Sequence, residues 1–363
     1  MKEVNFAVIG YGNIGSRHVK FLKNLDFANI LYVCDDLKER ADAGAEEADC
    51  RSVYDYEEIL SDDDVEVVDL CTPSGMHASM AIKAMEAGKH VISEKPMSLT
   101  LEESDRIIET EERTGQKYFL VKQNRYNPPV AILKELIEEG ALGEIFLISS
   151  NVFWNRRKQY FDDEKWRGTL DLDGGALFTQ CSHFVDLIVW LGGDPDNVEA
   201  FMANVNHPYI QTEDLGTVRM EFGKGRVGVL NYTIATYGSN MEGSIAVLGT
   251  KGSVKIGGKY LNQIVEWNVE GKDRPDLPPS PPPNRYKGGY QGSASNHDKV
   301  LSNVLDVLGK GEDIAVTSRA GRKTVEVMQA AHISAIVKKK ISLPLEKDLT
   351  GFDIRKSKPF TLR

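Results

Sequence analysis

The stretch Phe6-Ala7-Val8-Ile9-Gly10-Tyr11-Gly12-Asn13-Ile14-Gly15 decides how the rest of the chain is read. An apolar run of strand length meets glycines spaced G-x-G-x-x-G, and apolar residues then recur at helical spacing from Ile14 to about Leu25. Strand, glycine turn and helix in that order are the setting in which this spacing binds a dinucleotide. Gly10 permits the tight turn, Gly12 lets backbone approach a pyrophosphate, and Gly15 lets helix pack on strand. The helix N-terminus offers unsatisfied N–H groups and partial positive charge to phosphates, so Tyr11, Asn13 and Ile14 belong to the expected binding loop.

Asp35 stands twenty residues past Gly15, at the end of the second apolar run, Ile30–Cys34. A carboxylate there accepts hydrogen bonds from both ribose hydroxyls and repels the extra phosphate of NADP. The next residues are Asp36 and Leu37, not an arginine, which favours NAD.

Strand and helix patterns keep alternating to about residue 122. Val65–Cys71, His90–Ser93 and Tyr118–Val121 read as strands, His77–Ala87 and Leu101–Thr114 as helices. That alternation implies a parallel sheet with right-handed crossovers. After Pro128–Pro129 the character changes. A helix is expected over Ala131–Glu139 and another from Gly175 to Gly192. Strands follow at Val198–Val205, Leu215–Phe222, Gly225–Thr236, Gly243–Leu248, Ser253–Ile256 and Ile264–Val269, with glycine turns between several of them, as in antiparallel hairpins. Two late helices are expected, Asn296–Leu308 and Arg319–Val337. The proline-rich segment 276–284 reads as an extended surface loop, with Arg285, Tyr286 and Tyr290 close behind it. The expected fold is therefore α/β, with a dinucleotide-binding domain over 1–122 and a substrate and oligomerisation domain over 123–363.

The 363 residues are 41% hydrophobic and 27% charged, enough for two cores of an ordinary globular protein. A net charge of −10 argues against nucleic acid or membrane surfaces as partners, since both are polyanionic. The four cysteines fit no metal or redox spacing and read as reduced thiols. The apolar N-terminus ends in glycines after a short strand, so no secretory leader is read and a cytoplasmic protein is expected.

Three further groups carry chemistry. Glu94-Lys95-Pro96 follows the strand His90–Ser93, at a strand end where open parallel sheets bind ligands. A lysine there can hold a substrate hydroxyl and stabilise developing negative charge. The helix after Gly175 carries Thr179, Gln180, His183 and Asp186, with 179, 183 and 186 on one expected stripe. A histidine on a buried helix is either a satisfied core residue or a general base. No second cluster completes a metal site around His183 and Asp186, so no metal is expected. Arg125, Tyr126, Trp154, Arg156, Arg157, Tyr160, Trp166 and Arg167 gather arginine forks and aromatic faces, either a solvated face or a site for an anionic sugar.

Together, Gly10–Gly15, Asp35, Cys71-Thr72-Pro73 with His77, Glu94-Lys95-Pro96, Asn124-Arg125, and Gly174-Gly175 followed by His183 and Asp186 make the chain resemble the Gfo/Idh/MocA sugar oxidoreductases over essentially its whole length. The resemblance implies a Rossmann domain followed by an α/β domain with a large, mostly antiparallel open sheet. It implies NAD as cofactor, contacted by the glycine loop, Asp35, Asp36, Thr72, Pro73, His77, Glu94, Lys95, Gln123, Trp166 and Arg167. It implies Lys95 and His183 as catalytic residues, and Arg125, Tyr126, Asn127, Arg156, Tyr160, Thr179 and Gln180 around the substrate. It also implies a homodimer or homotetramer. Many members carry Asp where this chain has Thr179, which weakens the transfer of an inositol or glucose-type substrate. The runs Val121–Pro128 and Trp166–Leu177 are similar to those of UDP-N-acetylglucosaminuronate 3-dehydrogenases of surface-polysaccharide biosynthesis. The alternatives are a dehydrogenase of a free sugar or inositol, or a relative that uses NAD transiently for elimination or hydrolysis.

The cofactor reading is checked by thermal shift, because a ligand that binds the folded state raises Tm by mass action. NADH should raise Tm more than NADPH at equal concentration; the reverse order overturns the role given to Asp35.

Overall fold

The computed structural model describes residues 2–278, 295–358 and 360. The chain forms two compact units. The first comprises Met1–Ser98, Glu102–Lys122 and Asn296–Arg322; the second comprises Leu99–Leu101, Gln123–Ser295 and Lys323–Arg363. Residues 279–294, with Arg285, Tyr286, Tyr290 and most of the expected proline-rich loop, lie outside the described residues.

The first unit is built on β1 (Val4–Ile9), β2 (Ala28–Cys34), β3 (Arg51–Val53), β4 (Val67–Leu70), β5 (His90–Ser93) and β6 (Tyr118–Leu120). They pair parallel throughout, in the order β3-β2-β1-β4-β5-β6. The helices are α1 (Gly15–Leu22), α2 (Lys38–Ala48), α3 (Tyr56–Leu60), α4 (His77–Glu86) and α5 (Leu101–Thr114). Strands covered on both faces read as unbroken apolar runs, and Phe6, Ala7, Val8, Val67, Val68, Val91 and Ile92 have no accessible surface. The strand order reverses between β1 and β4, and this switch point is where such sheets bind ligands. The expected boundary at 122 needs one correction. Asn296–Arg322 returns to the first unit. Helix His297–Lys310 buries Val300, Leu301, Val304 and Leu305 there, with the His297 ring stacked on Phe21 of α1.

The second unit holds α6 (Pro128–Glu138), β7 (Ile145–Phe153), α7 (Lys158–Asp162), α8 (Ala176–Thr179) and α9 (Ser182–Gly192). Then come β8 (Asn197–Ala203), β9 (Leu215–Phe222), β10 (Arg226–Thr233), β11 (Glu242–Gly249), β12 (Gly252–Gly257), β13 (Gln263–Val269) and β14 (Ile341–Ser342). The sheet order is β13-β12-β11-β7-β10-β9-β8-β14. Every pairing is antiparallel except β7 with β10. Alternation along β9 buries Val218, Met220 and Phe222 and leaves Thr217, Arg219 and Glu221 on the other face. Buried α9 packs on the inner side against β7 and β10.

Two element expectations are corrected. Strand β7 sits inside the sheet, yet its polar Ser149-Ser150-Asn151 hides it in the sequence. The single helix expected over 175–192 is two. Its first turn closes when the Cys181 amide bonds Ala176 O at 2.9 Å, and a new helix starts at Ser182. Thr179 and His183 thus belong to different helices, and the expected stripe 179–183–186 does not form.

Leu301 is fully buried in the first unit. Leu301→Ala should destabilise that unit by about 2–5 kcal/mol, the usual cost of a leucine-sized cavity. Chemical denaturation followed by a probe in the first 122 residues checks this; an unchanged midpoint would contradict the placement of the late helix.

Candidate functional site

In the first unit the glycine loop leads from β1 into α1. Gly10 has φ +90, and a Cβ there would lie 2.8 Å from Cys71 O. A Cβ on Gly15 would lie 1.8 Å from Gly10 O. The fold itself therefore requires both glycines. Gly12 differs: a Cβ there meets nothing within 4 Å. The chain does not need glycine at 12, but a pyrophosphate approaching the backbone does. No side chain caps the start of α1, which leaves its N-terminal dipole to a ligand. The loop therefore fits a dinucleotide.

Asp35 accepts from Tyr11 N at 2.7 Å and Leu37 N at 2.9 Å, one bond per carboxylate oxygen. Each oxygen keeps a second lone pair for a hydroxyl. Burial raises the Asp35 pKa, while the two backbone bonds oppose it. The Tyr11 side chain turns away, its ring on Gly44 of α2 and its hydroxyl donating to Glu47. Only the backbone of Tyr11 serves the loop.

The turns after β4 and β5 are fastened by one imidazole. His77 Nδ1 lies 2.7 Å from Pro96 O, and its Nε2 lies 2.8 Å from Thr72 O. Burial lowers its pKa, although both carbonyls favour the protonated ring. His77 is 1% exposed, so it holds the loops in place. Lys95, half-buried, precedes Pro96 through a cis peptide bond.

Glu94 points inward. Its Oε2 accepts from Lys95 N at 3.1 Å, and its Oε1 lies 3.4 Å from both His18 Nε2 and His297 Nε2. On its other side His18 contacts Asp69 through Nδ1 at 2.8 Å. Burial alone would raise the Glu94 pKa, but the two histidines hold it well below the usual carboxylate range. Asp69 overrides burial at His18 and lifts its pKa well above neutral, whereas burial takes His297 down to about 4. The His18 ring is thus flanked by Asp69 on Nδ1 and Glu94 on Nε2. Sequence reasoning named Glu94 but missed His18, Asp69 and His297, because nothing in their spacing predicts that they meet.

In the second unit, Gln123–Tyr126 forms one tight turn. Gln123 Nε2 lies 3.2 Å from Nε2 of His183 at the start of α9. This contact places the His183 ring edge against the Gln123 side-chain amide. Arg125 forks onto Asp186 with two bonds of 2.8 Å, lies over the Trp190 ring, and shares Asp186 with the Thr324 hydroxyl. Asn127 donates to the carbonyls of Tyr260 and Leu261. Both residues thus tie α9 and a loop to the turn at 123–126.

Arg156, 2% exposed, lies between the Trp154 and Tyr160 rings. Its fork reaches Gln180 Oε1 at 2.9 and 2.6 Å, and Gln180 Nε2 donates to Tyr160 OH at 2.9 Å. Arg167 stacks on Tyr160 at 4.1 Å and donates to its carbonyl, beside a half-exposed Trp166. The Thr179 hydroxyl donates to Gly175 O. Asp173 accepts from Gly168 N and Gly175 N, and burial lifts its pKa to about 6. Buried Glu213, which the sequence does not single out, accepts from Leu177 N at 2.8 Å and fixes the start of α8.

A parallel sheet of this order, a glycine loop fitted to a dinucleotide, and a buried histidine in the second unit define a nicotinamide-dependent oxidoreductase. Residues 4–122 match the family described as "Oxidoreductase family, NAD-binding Rossmann fold", and residues 130–255 match the GFO/IDH/MocA C-terminal domain. The chain belongs to the GFO/IDH/MocA family, and NAD is its cofactor. Among solved structures it is similar to the WlbA dehydrogenase of Bordetella pertussis in complex with NADH and UDP-GlcNAcA. The identity is 32%, the TM-score 0.85, and the match covers 95% of this chain and 100% of that one. The WlbA dehydrogenase of Chromobacterium violaceum, with the same two ligands, gives 33% and 0.86 over 95% and 97%. Among curated proteins it is similar to the 2,7-anhydro-N-acetylneuraminate hydratase of Mediterraneibacter gnavus, 30% identical over 70% of this chain and 68% of that protein. No helix among the described residues is long and apolar enough to cross a membrane.

The two kinds of glycine are separable by experiment. Gly12→Ala should fold with an unchanged melting temperature and lose at least about tenfold in NADH affinity, the added methyl standing where phosphate must approach. Gly15→Ala should cost about 1–3 kcal/mol or more of stability through overpacking. Fluorescence titration and thermal melts read both; normal NADH affinity in the Gly12→Ala variant would contradict the loop's assignment.

Proposed function

We propose that the protein oxidises the C3 hydroxyl of a nucleotide-linked sugar acid such as UDP-N-acetylglucosaminuronate to a 3-keto sugar, within surface-polysaccharide biosynthesis. The observation that carries this reading is the full-length similarity to two dehydrogenases whose complexes hold NADH and UDP-GlcNAcA. The buried position of His183 beside Gln123 supports it.

When bound, NAD supplies the hydride acceptor. In this reading the Gly10–Gly15 loop holds its pyrophosphate, and Asp35 and Asp36 its adenosine ribose. Thr72 and Pro73 line its middle, with His77 and Glu94 fixing the backbone beneath. Gln123, Trp166 and Arg167 serve the nicotinamide end. The substrate hydroxyl replaces the Gln123 amide as donor to His183 Nε2. His183 then takes the hydroxyl proton as the carbon gives up hydride, and the oxygen becomes a carbonyl. The Lys95 ammonium donates to that oxygen and steadies its developing charge. Arg156, Tyr160 and Gln180 orient the sugar from one network, while Tyr126 and Thr179 shape its surroundings. Arg125 and Asn127 act by holding the turn that presents Gln123. The active form in this reading is a homodimer or homotetramer.

The similarity to a hydratase favours one second reading, in which NAD is reduced and reoxidised within a turnover and the net reaction is addition or elimination of water. Product mass separates the two: the dehydrogenase gives a ketone two hydrogens lighter, with NADH accumulating.

His183→Ala should lower kcat by about 10²–10⁴-fold, the usual contribution of a general base, with NADH affinity retained. Turnover is followed at the NADH absorbance with UDP-N-acetylglucosaminuronate, and NADH binding by fluorescence. Near-normal turnover removes His183 from the mechanism.

A further inference from the structure

One cavity of the second unit has a composition at odds with the rest of the molecule. It measures about 470 Å³, within the range of small-molecule sites. Its wall consists of segment 155–158, residues 206, 207 and 209, and the turn 235–238. On a chain of net charge −10, this wall contains Arg156, Arg157 and Lys158 and no aspartate or glutamate. Local charge is thus reversed, and the low-dielectric wall of a cleft strengthens that field toward an incoming anion.

The three cations differ in freedom. Arg156 is buried and locked onto Gln180. Arg157 and Lys158 are exposed. Arg157 gives Nη2 to Gly238 O at 2.7 Å, which sets its guanidinium against the turn 235–238. Lys158 lies over the Tyr209 ring and pairs at the surface with Asp162, one helical turn away. An anionic ligand displaces a surface pair of that kind at little cost. Two aromatic rings stand at the same rim. Tyr209 packs edge-on against Phe161 and His207 and keeps 43% of its surface exposed, while Tyr237 is fully exposed. An aromatic face open to solvent is a ready platform for a flat heterocycle.

Arg156 belongs both to this cavity and to the Gln180–Tyr160 network, and Gln180 precedes His183 by three residues. The cavity therefore opens beside the element that carries the base. The second large cavity differs: about 630 Å³, on strands β11–β13, with Glu242 set among Lys255 and Lys259, it has no such bias.

We propose that the cavity between segment 155–158 and the turn 235–238 binds the nucleoside diphosphate of the substrate, with Arg157 and Lys158 on the phosphates and Tyr209 or Tyr237 against the base. This rests on the proposed oxidation of a nucleotide-linked sugar. It adds the residues that make the enzyme select such a sugar over the free one.

The test uses uridine diphosphate as probe on the NADH-loaded enzyme. Calorimetry should show saturable binding that weakens with added salt. The double variant Arg157→Gln, Lys158→Gln should lose about tenfold or more in UDP affinity, since bonds to charged groups are the strong ones. NADH affinity and melting temperature should stay as in the parent. With UDP-N-acetylglucosaminuronate the variant should raise KM and leave kcat nearly unchanged, because the reacting groups are untouched. Tyr237→Ala should weaken UDP by a smaller factor with no change in salt dependence. If the parent turns over the UDP-sugar and the double variant binds UDP as well as the parent, the cavity is wrong and the functional reading stands. If the parent neither binds UDP nor oxidises the UDP-sugar but does oxidise a free sugar, the functional reading fails and this proposal with it.

Discussion

Glu94 is a buried carboxylate, and the first unit is arranged around that fact. Removing such a group from solvent costs several kcal/mol, and only close opposite charge and hydrogen bonds offset it. His18 faces it from α1, Asp69 on β4 raises the His18 pKa, and His297 closes the far side. The Lys95 amide uses the remaining oxygen. One knot thereby joins the helix behind the glycine loop, strand β4, the turn after β5 that carries Lys95, and the late helix His297–Lys310. Movement in any of these would leave a buried charge uncompensated. The backbone of Lys95 is thus fixed from beneath by the Glu94 carboxylate.

The second unit places its histidine by different means. Its positioning contacts are an amide on the imidazole, a forked Arg125–Asp186 pair against α9, and Glu213 on the Leu177 amide of α8. Arg125 and Arg156 look alike in the sequence, each in a run of aromatics and polar residues. The structure separates them: one clamps a helix, and the other is sandwiched between rings beside Gln180.

The parts legible in the sequence are those written in neighbouring residues. The parallel strands show as continuous apolar runs, the glycine loop as a spacing, and Asp35 as a fixed offset. Strand β3, with only Val53 buried, leaves almost no pattern, and the half-polar β7 conceals itself in the same way. What the sequence does not disclose is pairing over distance. His18 and His297 meet across most of the chain, and Asp69, apolar on either side, reads as an interruption of a strand. The break between α8 and α9 is also invisible, because 176–191 keeps helical composition throughout while the backbone reorganises at Cys181.

The return of Asn296–Arg322 to the first unit bears on how the protein is made. A ribosome delivers residues 1–122 first, but the helix that covers α1 and completes the knot at Glu94 lies beyond residue 295. At about 5–20 residues per second, the interval is roughly ten to forty seconds. Throughout it, the nascent nucleotide-binding half exposes the apolar surface meant for Leu301 and Val304, and Glu94 lacks one histidine. The intervening sheet has time to form in that window, so assembly closes by bringing the last segment back to the first. Completion of the cofactor half thus reports that synthesis has passed Arg322.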